Sequence, residues 1–381
     1  MEMAEKNIYD DFTLLVDGKE AFPEIINCIN NAKEKININM FIWRDDEIGN
    51  KIAQAVLDAA NRGVKVSISV DRYGVVLEKS EESKKSFFHK EQTLVEKIKS
   101  KTLEMVYPME NTPKNVRDEE SDLYTKVMSH PNIEVSKDVF KADHSKYYIF
   151  DDDIVILGGI NIEDKENGVD MQNRQYQDYM IKLSGKKHVK TFLTKLETGE
   201  DIAKEYSFGI NLKKDKDSIF EMEELYLSMI RKTKKKLIIT MAYFSGLDNF
   251  VKEIIDAHKR GVEISIMIPE RANYQDATNK ATVKKLMELT DNGIHVYMSK
   301  KMIHTKMMIT DEGISFGSTN ITKKAFNQLN ELNIVLKNIE CKLKDKLEES
   351  VKENYKEAKK INSHKEIKYN KLLARIERFI V

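Results

Sequence analysis

The sequence has no hydrophobic run long enough to cross a bilayer and no apolar N-terminal segment of the kind that directs secretion. Only two cysteines occur, Cys28 and Cys341, and their spacing fits neither a metal site nor a disulfide framework. The 63 basic residues balance the 63 acidic ones, so no net charge attracts the chain to nucleic acid or to an anionic membrane. These absences predict a cytoplasmic protein whose membrane contact, if any, is peripheral, at the inner membrane face.

What the sequence does have is length and apolar content. Its 381 residues suit two domains of ordinary size, and 41% of them are hydrophobic. A third of the residues are charged, but the apolar fraction argues against disorder. We therefore expect two folded units, each with its own core.

One short pattern occurs twice, once in each half of the sequence. It consists of a histidine, a lysine two residues later, an aspartate five residues after the lysine, and an asparagine that closes a glycine-containing turn. The first copy comprises His144, Lys146, Asp151 and Asn161, and the second comprises His304, Lys306, Asp311 and Asn320. A repeat of this kind indicates an internal duplication.

Matching secondary structure is predicted around the two copies. Alternating or continuous apolar patterns predict strand, helix and strand at 35–43, 48–61 and 64–70, and again at 235–244, 248–259 and 262–268. A helix at 21–32 is also predicted, with short strands before each motif at 133–135 and 294–297 and hairpin partners after it at 154–157 and 314–316. The expected fold is α/β, with two similar mixed-sheet sandwich halves related by a pseudo-twofold axis and the active site at their junction.

The spacing of the repeat also suggests domain limits. We place the first half at 1–205, the second at 206–338, and a charged helical tail at 339–381. The first half carries extra chain at about 73–131, rich in Lys, Glu and Ser. Its composition favours a solvated helical excursion over a lid or specificity loop near the site.

The motif suits phosphate chemistry. On a strand, residues two apart share a face, so each histidine and its lysine should project together. Asp151 and Asp311 lie an odd number of positions from their histidines, which predicts that they fix a turn or an ion pair in the fold. Asn161 and Asn320 are placed to donate amide hydrogens to an anion.

Two histidines brought together permit a two-step displacement at phosphorus. One neutral imidazole attacks and forms a phosphohistidine, while the other, protonated, donates to the leaving alcohol. Lys146 and Lys306 would neutralise the non-bridging oxygens, so we expect no metal and no cofactor.

On these residues the sequence resembles the phospholipase D superfamily, and within it the bacterial cardiolipin synthases. The resemblance implies that the His, Lys and Asp of both motifs form the catalytic signature, that His144 is the nucleophile, and that the substrate is a phospholipid. It also implies that an acid downstream of each motif orients the motif histidine, namely Asp178 in the first half and Glu331 in the second. Gly159 and Gln177 depart from the superfamily's usual serine and the relatives' usual arginine. A metal-independent nuclease of the same superfamily, acting on nucleic acid, is the alternative.

The C-terminal residues predict an amphipathic helix. One face of it carries Leu372, Leu373, Ile376, Phe379 and Ile380. This helix either contacts a membrane peripherally or docks on its own domain, and the sequence favours neither.

Overall fold

The computed structural model describes residues 8–80, 85–89, 91–107, 121–138, 141–214, 216–337 and 342–380. Cys341 and part of the inserted segment, including Pro108 and Pro113, lie outside these ranges. No helix within them is long and apolar enough to cross a membrane.

The first half contains eight described strands and six helices. The strands are β1 Phe12–Val16, β2 Lys35–Met40, β3 Lys65–Val70, β4 Ile133–Ser136, β5 Tyr147–Phe150, β6 Ile154–Gly158, β7 Tyr176–Gln177 and β8 Tyr179–Ser184. The helices are α1 Asp17–Asn31, α2 Glu47–Asn61, α3 Gly74–Ser80, α4 Leu94–Val106, α5 Asp122–Ser129 and α6 Lys186–Thr198.

The second half and the C-terminal segment continue the same scheme over their described residues. The strands are β9 Tyr206–Leu212, β10 Ile219–Phe220, β11 Lys236–Met241, β12 Glu263–Pro269, β13 His295–Ser299, β14 Met302–Ile303, β15 Lys306–Thr310, β16 Gly313–Gly317, β17 Glu331–Lys337 and β18 Lys359–Ile361. The helices are α7 Met222–Lys232, α8 Asp248–Lys259, α9 Asp276–Leu289, α10 Lys323–Asn327, α11 Lys342–Glu357 and α12 Lys371–Ile380.

The two large sheets have the same strand order, which confirms the predicted duplication. The first sheet runs β1-β8-β6-β5-β2-β3-β4, and the second contains β9-β17-β16-β15-β11-β12-β13 with β10 and β18 added at its edges. In both sheets the strand after the motif histidine, β5 or β15, lies between an antiparallel hairpin partner and the first strand of a parallel βαβ unit. The motifs therefore lie on interior strands, as expected.

The sheets pack face to face between outer layers of helices. Alternation within β5 shows how the layers are built, because Tyr148 and Phe150 join the core under α1 and α2 while Ile149 joins the core between the sheets. That central core also takes Leu157 from β6 and Phe316 from β16. The result is a helix–sheet–sheet–helix sandwich in which the two halves share an apolar layer.

Glycine ends the matching helices of the two βαβ units. Gly63 follows α2 with φ +96°, and Gly261 follows α8 with φ +86°. Both backbones are left-handed, a conformation that costs glycine nothing, so the predicted helix ends are confirmed. Each turn delivers the chain to the next parallel strand.

Two parts of the chain differ from expectation. Two of the three described helices of the insertion, α3 and α4, pack on each other and place Leu77 and Leu103 on a cavity beside His144, so their inward sides are not solvated, although most residues of α4 are exposed. The C-terminal segment is not purely helical, since β18 pairs with β13. Its helix α12 docks on α9, where buried Glu377 accepts hydrogen bonds from Thr278.

Candidate active site

Backbone pairing across the junction fixes both motif histidines. The His144 N–H donates to Asn330 O at 2.9 Å, and the His304 N–H donates to Gln177 O at 2.9 Å. The second contact continues the parallel pairing of β14 with β7. Each histidine is thus attached to the segment that immediately precedes the acid of the opposite half.

Because of this pairing, each motif histidine contacts the carboxylate of the opposite half. His144 Nδ1 lies 3.1 Å from Glu331 Oε2, and His304 Nδ1 lies 3.0 Å from Asp178 Oδ2. The expectation that each acid orients the histidine of its own half is therefore wrong in its pairing, although both acids do contact a motif histidine. The sequence did not reveal the crossing because it depends on how the halves dock.

A second carboxylate contacts only one of the two histidines. Glu166 is buried, and its Oε1 lies 3.1 Å from His304 Nδ1. The repeated motif does not include this residue. Its signal is a break in the repeat: Glu166 stands five residues after Asn161, whereas Ala325 stands five residues after Asn320.

The carboxylates beside His304 favour its protonated form. Burial and the Lys306 charge oppose protonation, but Glu166 and Asp178 outweigh them and raise the pKa of His304. Burial alone would raise the pKa of Asp178, yet Lys306 and His304 lower it. His304 is consequently suited to donate a proton.

His144 and Glu331 have pKa shifts opposite in direction to those of His304 and Asp178. Burial, with the charges of Lys146 and Lys306, holds the pKa of His144 well below its usual range. Burial also raises the pKa of Glu331 to about 8, although the Ser318 hydroxyl donates a hydrogen bond to this carboxyl. The lowered pKa favours neutral His144, the form that has a lone pair available for attack.

The two motif lysines are buried, and the charge of Lys306 acts on Lys146. Lys146 Nζ donates to His144 O at 2.5 Å, and Lys306 Nζ donates to His304 O. Burial, followed by the charge of Lys306, lowers the pKa of Lys146 to about 7, and burial lowers that of Lys306. An anion bound near these ammonium groups would favour their charged forms.

The motif aspartates lie at turns, as strand parity predicted. Asp151 accepts hydrogen bonds from the backbone N–H groups of Lys33, Glu34 and Lys35 at 2.8–2.9 Å. Asp311 accepts in the same way from residues 234–236. Burial alone would raise the pKa of each carboxyl, but these backbone donors outweigh it and lower the pKa.

The two closing asparagines are buried. Asn161 Oδ1 has no hydrogen-bond partner among the residues that the structure describes. Asn320 accepts the Tyr243 N–H at 3.2 Å and lines the cavity beside His144. Their predicted phosphate contact remains a prediction.

A mainly apolar cavity of about 80 Å³ lies beside His144. It is lined by Phe41, Leu77, Leu103, Tyr274, Ala325 and Leu329, among others. The Phe41 ring packs edge-on against the His144 ring, with centroids 4.8 Å apart. The cavity includes Ala325, the counterpart of Glu166, so one site is apolar where the other is acidic.

Duplicated sheets and paired His-Lys-Asn sets at their junction define a phospholipase D-like protein, and sequence comparison agrees. The family model for "Cardiolipin synthase, PLD-like domain" matches residues 25–198 and 226–354. The chain belongs to this family, which confirms the resemblance.

Similar curated proteins are bacterial cardiolipin synthases. The chain is 27% identical to that of Halalkalibacterium halodurans and 25% identical to that of Alkalihalophilus pseudofirmus, in each case over 85% of this chain and 62% of the relative. It is 23% identical to the major cardiolipin synthase of Bacillus subtilis, over 86% of this chain and 65% of the relative. The chain thus spans less than two thirds of the length of these relatives.

Solved structures share the fold at low sequence identity. Phosphatidylserine synthase from Haemophilus influenzae Rd KW20 is 13% identical, with a TM-score of 0.68 over 96% of this chain and 92% of that one. Polyphosphate kinase from Porphyromonas gingivalis is 12% identical, with a TM-score of 0.53 over 92% of this chain and 52% of that one. The predicted two-part α/β fold is confirmed.

Proposed function

We propose that this chain is a phosphatidyltransferase or phosphodiesterase of the phospholipase D type that acts on phospholipid through a phosphohistidine. The apolar cavity beside His144 is the observation that supports phospholipid as the substrate. A phospholipid carries its phosphodiester on a glycerol that bears apolar acyl chains, and this site places a histidine and lysines next to an apolar wall. The names of the relatives agree with this substrate class.

The first step forms a bond from His144 to phosphorus. Ionised Glu331 holds the Nδ1–H of His144, which leaves the Nε2 lone pair free to attack. The bond from phosphorus to the head-group oxygen breaks, and His304 supplies the proton that this oxygen needs. Lys146 and Lys306 stabilise the charge on the non-bridging oxygens.

The second step reverses these roles. His304, now neutral, removes the proton of an acceptor hydroxyl, whose oxygen attacks phosphorus and breaks the bond to His144. Water as acceptor gives hydrolysis. The hydroxyl of a second phosphatidylglycerol gives cardiolipin.

The test compares substrates under one condition. Purified protein in EDTA is incubated with phosphatidylglycerol in detergent micelles and, separately, with single-stranded DNA or RNA. We expect lipid products by mass spectrometry and no cut nucleic acid, while the double variant His144→Ala/His304→Ala should be inactive. Cleavage of nucleic acid without lipid product would replace this proposal with the nuclease.

A trapping experiment tests the order of the histidines. If His144 is the nucleophile, His304→Ala should still form a phosphatidyl adduct, although slowly because the leaving oxygen loses its proton donor. The adduct should persist because the base for its breakdown is also missing. His144→Ala should show none. The opposite pattern would make His304 the nucleophile.

A further inference from the structure

Helix α4 buries two polar residues beside Leu103 and exposes most of its large apolar residues. Its inward side carries Glu96, which pairs with Arg72 at 2.8 Å, and Ser100, which donates to the backbone oxygen of Val76. Its outward side exposes Leu94, Val95, Ile98 and Met105, at 79%, 60%, 64% and 79% of their surface. A helix in solution usually hides such residues, so this side is suited to a partner.

The spacing of these residues gives one stripe. At 100° per residue, Leu94, Ile98 and Met105 fall within about 40° of one another, with Val95 at the edge. Exposed Lys97 and Lys101 lie on one flank of the stripe and exposed Lys99 on the other. Exposed Glu104 offsets only one of the three positive charges. An apolar stripe bordered by lysines is typical of helices that lie in the interface of an anionic bilayer.

The same helix reaches the candidate active site. Leu103, on its inward side, lines the cavity beside His144. Just after the helix, the Tyr107 ring packs edge-on against Tyr274, another cavity residue, with centroids 5.1 Å apart. The outward stripe and the cavity wall are therefore two sides of one helix.

The C-terminal helix fits this role less well. In α12 the side chain of Glu377 is buried and accepts from the Thr278 N–H at 2.7 Å and from its hydroxyl at 2.8 Å, which fixes the helix on α9. Leu372 and Ile376 remain exposed, at 66% and 38% of their surface. They provide a matched control with the same chemistry at another place.

We propose that the outward side of α4 docks on the surface of a bilayer that contains anionic phospholipid. Leu94, Ile98 and Met105 enter the interface, and Lys97, Lys99 and Lys101 contact lipid phosphates. The cavity beside His144 then lies next to the membrane. This assignment rests on the proposed function in one respect, because a phospholipid substrate is the reason for choosing a membrane as the partner of this surface.

Vesicle flotation tests the proposal without requiring turnover. The full chain is mixed with vesicles of phosphatidylcholine, with and without phosphatidylglycerol. We expect binding to the mixed vesicles that weakens about tenfold or more in the variant Leu94→Glu/Ile98→Glu/Met105→Glu and changes less than about twofold in Leu372→Glu/Ile376→Glu. Lys97→Gln/Lys99→Gln/Lys101→Gln should remove the dependence on phosphatidylglycerol and on salt.

A tryptophan variant measures how deeply the outward side of α4 enters the bilayer. Ile98→Trp should shift its emission to shorter wavelength on vesicles and be quenched by brominated acyl chains, while buried Trp43 gives a constant background. Thermal melting followed by circular dichroism establishes that each variant is folded.

Three results would overturn the proposal. They are vesicle binding that survives the triple glutamate variant, loss of binding only in the α12 variant, and a wild-type dimer that the triple variant converts to monomer without affecting vesicle binding. The last would assign α4 to a second copy of the chain. Lipid turnover in micelles with no binding through α4 refutes this inference alone, whereas binding without turnover refutes the proposed function alone.

Discussion

At the scale of single residues, the two motif histidines differ in their neighbours. His304 has Asp178 and Glu166 at its Nδ1, while His144 has Glu331 and an apolar wall. The first environment favours imidazolium and the second favours neutral imidazole. This difference gives the acid and the nucleophile their separate positions in the proposed reaction.

Glu331 should control the acidic side of the rate–pH profile. Attack requires ionised Glu331, because only then does His144 hold its proton at Nδ1 and leave Nε2 free. With a pKa of about 8 for this carboxyl, kcat should rise with pH up to about 8 at saturating substrate, whose phosphate favours the charged form of Lys146 despite its pKa of about 7 in the empty site. Glu331→Gln should remove this rise and lower kcat about 10²–10⁴-fold.

Ser318→Ala is the matched variant for this profile. The Ser318 hydroxyl stabilises the ionised carboxylate, so its loss should raise the pKa of Glu331 and move the acidic limb to higher pH. A wild-type profile that is flat between about pH 6 and 9 would contradict this assignment.

Glu166 should control the alkaline side as a positioning residue. It raises the pKa of His304, which must be protonated to donate, so Glu166→Gln should move the alkaline limb to lower pH. Asp178 still holds the ring, so we expect kcat to fall by only about tenfold and KM to change little. An alkaline limb that does not move would show that Glu166 has no influence on the proton of His304.

At the scale of elements, the motif aspartates stabilise turns. Asp151→Ala leaves three backbone N–H groups without their acceptor, so the free energy of unfolding should fall by about 1–3 kcal/mol. Urea denaturation measures this change. The adjacent Asp152→Ala is the control, because its ion pair with Lys35 is about half exposed on both sides and should contribute less than about 1 kcal/mol. A loss of kcat of about a thousandfold with unchanged stability would instead support a catalytic Asp151.

Most elements near the motifs were predictable because their signals are local. The helix predicted at 248–259 is α8, Asp248–Lys259, and the predicted stops Gly63 and Gly261 are left-handed as required. The insertion was not predictable in this way. Its composition indicated solvent, whereas α4 keeps charged Glu96 inside through Arg72 and turns Leu94 and Ile98 outward. Sequence periodicity does not indicate which side of α4 faces inward, because this orientation depends on the tertiary ion pair between Arg72 and Glu96.

At the scale of the whole molecule, the shared layer between the sheets should make the halves unfold together. Calorimetry should give one transition, with equal calorimetric and van't Hoff enthalpies. Phe316→Ala, in the middle of that layer, should cost about 3–5 kcal/mol and lower the single midpoint without splitting it. Two separate transitions would show that each half is stable alone.

The composition of the site was predictable from sequence, but its connections were not. His144, His304 and the acids Asp178 and Glu331 all lie at the junction, as the repeated pattern and the resemblance implied. Their crossing depends on contacts between residues 187 positions apart, such as His144 and Glu331, for which one sequence contains no local signal. The boundary at residue 205 remains a prediction.

Crossed pairing also bears on the ancestry of the protein. Two identical single halves related by a twofold axis would make the same reciprocal contacts, each completing the histidine of its twin. In such a homodimer any substitution appears twice, so both sites stay alike. Joining the copies in one chain removes this constraint and permits Glu166 to stand opposite Ala325. Tandem fusion therefore permits the surroundings of His144 and His304 to differ, as the apolar wall at one and the second carboxylate at the other do.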